Sequence, residues 1–211
     1  MISYIKEGKT HMIRRNNDGT DFTEKINRGY ETRLNYMASK YSQVTAAHLI
    51  VTWPNDVDHS HANAELGESL NALRKTLRNQ GVESQAGWVR EVAQDRKDDK
   101  PHYHIGLLCN GREVQSGMGP AKHLNRLLTK RWGKPEESVF VKCQPPNPDL
   151  DCQAELNNRY SAIKLRTHRE NAEAQRENIL NWFSYHAKVE TKGNVPPRVR
   201  EYGFSQLPKE E

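Results

Sequence analysis

At 211 residues and 24.3 kDa the chain is long enough for one domain with a proper core and too short for two of ordinary size. Its 28% charged residues and mean hydropathy of -0.96 lean towards disorder, but four tryptophans, eight tyrosines and a recurring apolar periodicity exclude an unstructured chain. The excess of 32 Lys and Arg over 27 Asp and Glu gives +5 and a pI near 9.1, which favours contact with phosphates, and no stretch approaches the ~20 apolar residues of a membrane span, so a cytoplasmic protein is expected.

The first ~25 residues, with Asn16-Asn17-Asp18-Gly19, read as an irregular arm or turn. Tyr30, Leu34, Met37 and Tyr41 then recur at helical spacing. His48-Leu49-Ile50-Val51-Thr52-Trp53 is β-branched and apolar and stops at Pro54-Asn55, which predicts a buried strand. Leu66, Leu70, Leu73 and Leu77 make the stripe of a second helix, with Gly81 placed to cap it. The runs 87–92 and 102–108 are strand-like and joined by a short polar connection, the pattern of an antiparallel hairpin. Gly119-Pro120 opens a third helix carrying Leu124, Leu127, Leu128 and Trp132, and Val139-Phe140-Val141 reads as a short strand. Beyond the Pro145-Pro146-Asn147-Pro148 loop, 151–175 reads as loop and then helix, continuing through Ile179, Leu180, Trp182 and Phe183 to about Lys188. With no regular βαβ alternation, the fold class is α+β: a central antiparallel sheet flanked by helices. Cys109, Cys143 and Cys152 are odd in number and lack CxxC spacing, so they read as reduced thiols, not as a disulfide framework or zinc ribbon.

His102-Tyr103-His104 carries the first chemical signal. Side chains alternate along a strand, so both imidazoles point to one face while Tyr103 and Ile105 point to the other, and two imidazoles on one strand can share a divalent ion. An isolated HxH also suits an ordinary surface pair, and Glu91 on the preceding strand also suits a cross-strand partner for Arg or Lys. Taken together, His102, His104 and Glu91 form a two-imidazole, one-carboxylate set of the kind that holds Mg²⁺ or Mn²⁺ with positions open to substrate oxygens. The second signal is Tyr185-His186-Ala187-Lys188. On a helix Tyr185 and Lys188 lie roughly 60° apart, with Ile179, Leu180, Phe183 and Ala187 on the other side, so tyrosine and lysine would share a groove. A bound divalent ion would make a phosphate more electrophilic, Tyr185 would attack it, and Lys188 would stabilise the forming phenolate.

In this order the residues resemble the HUH endonuclease superfamily, and within it the single-tyrosine rolling-circle replication initiators. The likeness is to the inovirus-type replication protein family, also called the YagK/YfjJ C-terminal domain family. His48-Leu49-Ile50-Val51-Thr52-Trp53-Pro54 looks like its first motif, Pro101-His102-Tyr103-His104-Ile105-Gly106-Leu107-Leu108 like its second, Tyr185-His186-Ala187-Lys188 like its third, and Tyr202-Gly203-Phe204-Ser205 like its tail. The resemblance implies an N-terminal arm and helix over 1–45, a nuclease domain over 46–190 and a C-terminal tail over 191–211 packing on or near it. It implies Tyr185 as nucleophile assisted by Lys188, with His102, His104 and Glu91 on Mg²⁺ or Mn²⁺. The activity implied is nicking and joining of single-stranded or hairpin DNA at an origin of a phage, plasmid or integrated element in a bacterial cell. The alternatives are a single-tyrosine transposase of the same superfamily and a catalytically inactive DNA-binding regulator.

The tyrosine follows the histidines, unlike in conjugative relaxases, and no second tyrosine lies one turn from it, so one covalent link per active site is expected. No GxxxxGK[ST] pattern occurs, so unwinding falls to a host or partner helicase. Lys164, Arg166, Arg169, Arg176, Arg198 and Arg200 are candidate phosphate contacts, although each taken singly reads first as part of a solvated face. Trp53, Trp88 and Trp182 read as core residues first and base-stacking platforms second.

Overall fold

A computed structural model describes residues 2–6, 9–13, 22–92, 100–146, 161–187 and 199–208. Strands β1 (Ile2–Lys6) and β2 (Lys9–Ile13) pair antiparallel with Ile2 opposite Ile13, so the arm expected to be irregular contains a hairpin. The Asn16–Gly19 turn lies outside the described residues. Helix α1 (Phe22–Lys40) buries Ile26, Tyr30, Leu34 and Met37, one residue per turn, as the periodicity predicts.

Strand β3 (Gln43–Thr52) starts five residues before the apolar run that announced it. Ala46-Ala47 has weak strand propensity, and pairing on both sides of β3 overrides it. Helix α2 (Ala62–Asn79) buries Leu66, Leu70, Leu73 and Leu77, each worth roughly 1.5–3 kcal/mol when removed from water. Gly81 closes it at φ +77°, with its N–H on the Arg78 carbonyl and the next N–H, of Val82, on the Leu77 carbonyl. Strands β4 (Ser84–Val92) and β5 (Pro101–Asn110) form the expected antiparallel pair, with Glu91 directly opposite His102.

Helix α3 (Met118–Arg131) carries Pro120 in its first turn and buries Leu124 and Leu128. The next strand, β6 (Val141–Gln144), is displaced from the predicted 139–141. Val139 is exposed, and the backbone ladder to β3 begins at Val141 opposite Val51. A strand also replaces part of the expected loop-and-helix stretch: β7 (Ile163–Arg166) alternates buried Ile163 and Leu165 with outward Lys164 and Arg166, a two-residue period too short to stand out among the charges around it. Helix α4 (Ala172–Ser184) stops earlier than predicted, and Tyr185–Ala187 tightens into a 3₁₀ turn. Strand β8 (Tyr202–Phe204) completes the sheet.

The six-stranded sheet runs β6-β3-β5-β4-β8, with β7 sharing the β6 side of β3, and every pairing is antiparallel. The result is one α+β domain with helices on both faces of the sheet. One face carries Leu49, Val51, Tyr103, Ile105 and Leu107 against the stripes of α2 and α3. The other carries Val44, Ala46, Val89 and Leu108 against α1 and α4. Alternation then decides where the polar residues go: His48, His102, His104 and Glu91 have the parity of the second face and so lie towards α1 and α4. No helix among the described residues is long and apolar enough to cross a membrane.

Candidate metal centre and the adjoining tyrosine

Antiparallel register builds the centre. Because Glu91 faces His102 across the β4–β5 ladder, a single carboxylate oxygen, Oε2, lies 3.0 Å from His102 Nε2 and 3.1 Å from His104 Nε2. The expected trio therefore converges, with ligand atoms all within 4.8 Å of one another. Glu91 and His104 are buried, and the His102 side chain is 27% exposed. Taking a carboxylate out of water is costly unless positive charge or hydrogen bonds compensate it, and the same oxygen facing two imidazoles meets the condition for holding a cation. The donor set, two nitrogens and one oxygen, fits a divalent metal.

Two further histidines join this centre that the sequence reading left without a role. His48 Nε2 lies 2.9 Å from His104 Nδ1, so the His104 ring is engaged on both nitrogens. His186, fully buried, stands with its ring centroid 4.2 Å from that of His48 and 5.5 Å from that of His104. His48, His104 and His186 form a second group whose ligand atoms also lie within 4.8 Å of one another. Burial, and then the neighbouring His104, push the His48 imidazole down to about 3, while Glu91 acts in the opposite direction; His48 is accordingly neutral at physiological pH. The signals were present in the sequence: His48 heads the apolar run Leu49-Ile50-Val51, and His186 adjoins the candidate nucleophile.

Close packing delivers His186. Gly87 and Gly106 face each other across β4 and β5, and their missing side chains open a trough for the Tyr30 ring. The Tyr30 hydroxyl reaches His186 Nδ1 at 2.8 Å and accepts the Gly106 backbone N–H at 3.3 Å. Burial holds the Tyr30 phenol far above its ordinary range, so it stays protonated. Phe183 stacks on His186, and Trp182 meets His48 edge-on at 5.7 Å, which anchors the end of α4 over the histidines.

Tyr185 projects outward from that end. Its ring is 48% exposed and its centroid lies 5.9 Å from that of His104. Tyr185 sits in the 3₁₀ turn and not in α4 itself, so the α-helical spacing used to pair it with Lys188 does not describe its backbone. Lys188 itself lies outside the described residues, as do Arg198 and Cys152.

The remaining candidate cations do not form one patch. From Gln43, opposite Arg166, to Thr52, opposite His102, β3 advances nine residues, about 30 Å at ~3.3 Å each. Lys164, whose ammonium donates to Gln115 Oε1, and Arg166 therefore belong to the far end of the sheet. Arg169 is exposed three residues past Arg166 and bonds its own N–H to the Arg166 carbonyl. Arg176 is tied to Glu31 at 2.7 Å and to Glu173 at 3.2 Å. Among the described candidates Arg200 comes near the metal ligands: Arg90 N–H donates to the Glu201 carbonyl at 2.7 Å, which brings the exposed Arg200 alongside the Glu91 end of β4. Asn63 fixes this segment by donating to the Arg200 carbonyl at 2.8 Å while accepting the Tyr103 hydroxyl at 2.7 Å. Trp53 and Trp182 are core residues, and Trp88 packs partly buried against the core.

Compared with known proteins, the chain matches no family model, no curated protein and no solved structure.

Proposed function

We propose that this protein is a metal-assisted, single-tyrosine DNA strand nickase and rejoining enzyme that initiates rolling-circle replication of a phage, plasmid or integrated element. The observation that carries the reading is the half-exposed Tyr185 phenol beside His104, a member of a two-imidazole, one-carboxylate group. An outward tyrosine over a buried donor set suits a backbone phosphate, whose polymer is too large to enter a closed cleft.

His102, His104 and Glu91 would hold the cation, with Mg²⁺ or Mn²⁺ favoured by the carboxylate oxygen. A bound divalent ion supplies Lewis-acid polarisation of a non-bridging phosphate oxygen and positions the phosphate. Tyr185 Oη then forms a bond to phosphorus as the bond to one deoxyribose oxygen breaks. That oxygen leaves as a hydroxyl, and the phenol proton is lost in the same exchange. One ester replaces another, so the phosphotyrosine keeps the energy needed to rejoin the strand. His186, anchored by Tyr30 and Phe183, holds the turn that presents Tyr185. Arg200 is placed to contact the strand near the ligands, and unwinding falls to a separate helicase.

The test is incubation with single-stranded and hairpin DNA plus Mn²⁺, followed by denaturing electrophoresis. A band of covalent protein–DNA adduct that disappears with Tyr185→Phe is the expected result. An adduct of undiminished yield from Tyr185→Phe would remove this residue as nucleophile, and no adduct on any DNA would remove the activity.

A further inference from the structure

The imidazole of His104 faces a different group of donors on each nitrogen. Nε2 faces Glu91 and His102, whereas Nδ1 faces His48, with His186 closing a second, fully buried group made of nitrogen donors alone. We propose that His48, His104 and His186 form a second metal site, selective for a borderline divalent ion of the Zn²⁺ or Co²⁺ class, whose occupation excludes a metal from the Glu91–His102–His104 site.

Three observations support it. First, the donors are already gathered from three separate elements: β3 supplies His48, β5 supplies His104 and the turn after α4 supplies His186. The His48 Nε2 to His104 Nδ1 separation of 2.9 Å is close to the roughly 3.3 Å edge of a tetrahedron with metal–nitrogen bonds of ~2.0–2.1 Å, so small ring rotations suffice. Second, two of the three rings have outer hydrogen-bond partners of the kind that orient metal-bound histidines. With Nδ1 on the metal, His104 keeps its proton on Nε2 and donates it to Glu91 at 3.1 Å, which also places a carboxylate beside the buried charge. With Nε2 on the metal, His186 donates from Nδ1 to the Tyr30 hydroxyl at 2.8 Å. Third, donor type separates the ions: a set of three imidazoles suits Zn²⁺ or Co²⁺, while the set containing an oxygen suits Mg²⁺ or Mn²⁺.

Mutual exclusion follows from the valence of imidazole. A neutral ring has one lone-pair nitrogen and one N–H, so His104 offers its pair to one site or to the other. A metal on Nδ1 forces the proton onto Nε2, which takes His104 away from the first site. Binding of the second ion stands independently of the nicking reading; its consequence, that Zn²⁺ silences the enzyme while Mn²⁺ supports it, rests on that reading.

The experiment uses the full chain stripped of metal and loaded with one equivalent of Zn²⁺, with zinc-edge X-ray absorption to count imidazole ligands. Parallel Zn²⁺ titrations and Mn²⁺ electron paramagnetic resonance follow wild type, Glu91→Gln, His186→Gln and His48→Gln. Expected are three imidazoles on zinc in wild type and in Glu91→Gln, and displacement of protein-bound Mn²⁺ by stoichiometric Zn²⁺. His186→Gln and His48→Gln should bind Zn²⁺ at least roughly 10–100-fold more weakly while still holding Mn²⁺, a retention that shows the sheet intact. Two imidazoles plus oxygen on zinc, or zinc lost in Glu91→Gln but kept in His186→Gln, would overturn the second site. Should both histidine variants lose Mn²⁺ as well, the ligand count in wild type decides alone. A confirmed three-histidine zinc site with no Mn²⁺-dependent adduct on any DNA would instead refute the nickase reading and leave this one standing.

Discussion

Replacing Gly106 by alanine tests how the site is held together. A Cβ built at Gly106 falls 2.4 Å from Cε1 and 3.0 Å from Cζ of Tyr30, and 3.1 Å from Cε2 of Phe183. Ordinary carbon contacts start near ~3.5 Å, so the Tyr30 ring must retreat by about 1 Å in a core packed at crystal density. Gly87 gives no room, since Phe204 and the same Tyr30 Cε1 already fill the space above it. Overpacking of this kind costs about 2 kcal/mol, which in a chain of this size lowers Tm by roughly 4–8 °C. The functional loss should exceed the stability loss, because Tyr30 is hydrogen-bonded to His186, which directly follows Tyr185. Thermal melts and adduct yield, both measured well below the variant's Tm, separate the two effects: a lower Tm with adduct yield reduced several-fold is expected. An unchanged Tm with full adduct yield would refute the claim that the glycine pair seats Tyr30.

His102→Ala should weaken Mn²⁺ binding by at least roughly tenfold while leaving the fold intact, and adduct formation should recover in part at higher Mn²⁺; titration of adduct yield against Mn²⁺ checks it. Burial pushes the Cys109 thiol up to about 12 and the Cys143 thiol up to about 11, so at pH 8 only about 10⁻⁴ and 10⁻³ of each is thiolate. Alkylation followed by mass spectrometry should find both unmodified in the folded chain at pH 8, and fast modification there would contradict the packing. Arg200→Ala should lower the salt dependence of single-stranded DNA binding by about one ion, whereas Arg176→Ala, which releases Glu31, Glu173 and Asn35, should leave the slope unchanged.

Much of this architecture is readable from residue periodicity because the two apolar faces demand it. The α2 stripe, the β4–β5 hairpin and the shared face of His102, His104 and Glu91 all follow from spacings of 3.6 and 2 residues, and the register that sets Glu91 against His102 needed only that the hairpin be antiparallel. Three of the features that escaped did so for identifiable reasons. β7 is four residues long and its alternation is carried by two apolar side chains. The end of α4 tightens into a 3₁₀ turn through tertiary anchoring by Trp182, Phe183 and Tyr30, which no local pattern records. His48 joins the centre through a β3–β5 pairing between strands 56 residues apart, and His186 joins through contacts 156 residues away at Tyr30. Such long-range partners leave only a weak trace in one sequence, here a histidine placed where an aliphatic residue would do.

The exposure of the site's members follows a gradient that bears on the size of its substrate. His186 and His48 are 0% and 2% exposed, His104 is 5%, and Tyr185 is 48%. A small-molecule enzyme sinks its nucleophile into a concave pocket, where most of the ligand surface is covered. Here the order is reversed: His48, His104 and His186 are dry, His102 is 27% exposed, and the Tyr185 side chain is the most exposed of the group. A groove of about 790 Å³ does exist between α3 and β6, around Met118, Val139 and Cys143, but none of the metal-group residues lines it. An outward tyrosine above dry ligands can reach a phosphate that stays on the protein surface as part of a polymer. The low dielectric beneath it strengthens whatever charge the histidine and carboxylate groups hold, while the Tyr185 side chain is half-exposed to water. The division is physically consistent with its parts: the buried end provides field and rigidity, and the exposed end provides access.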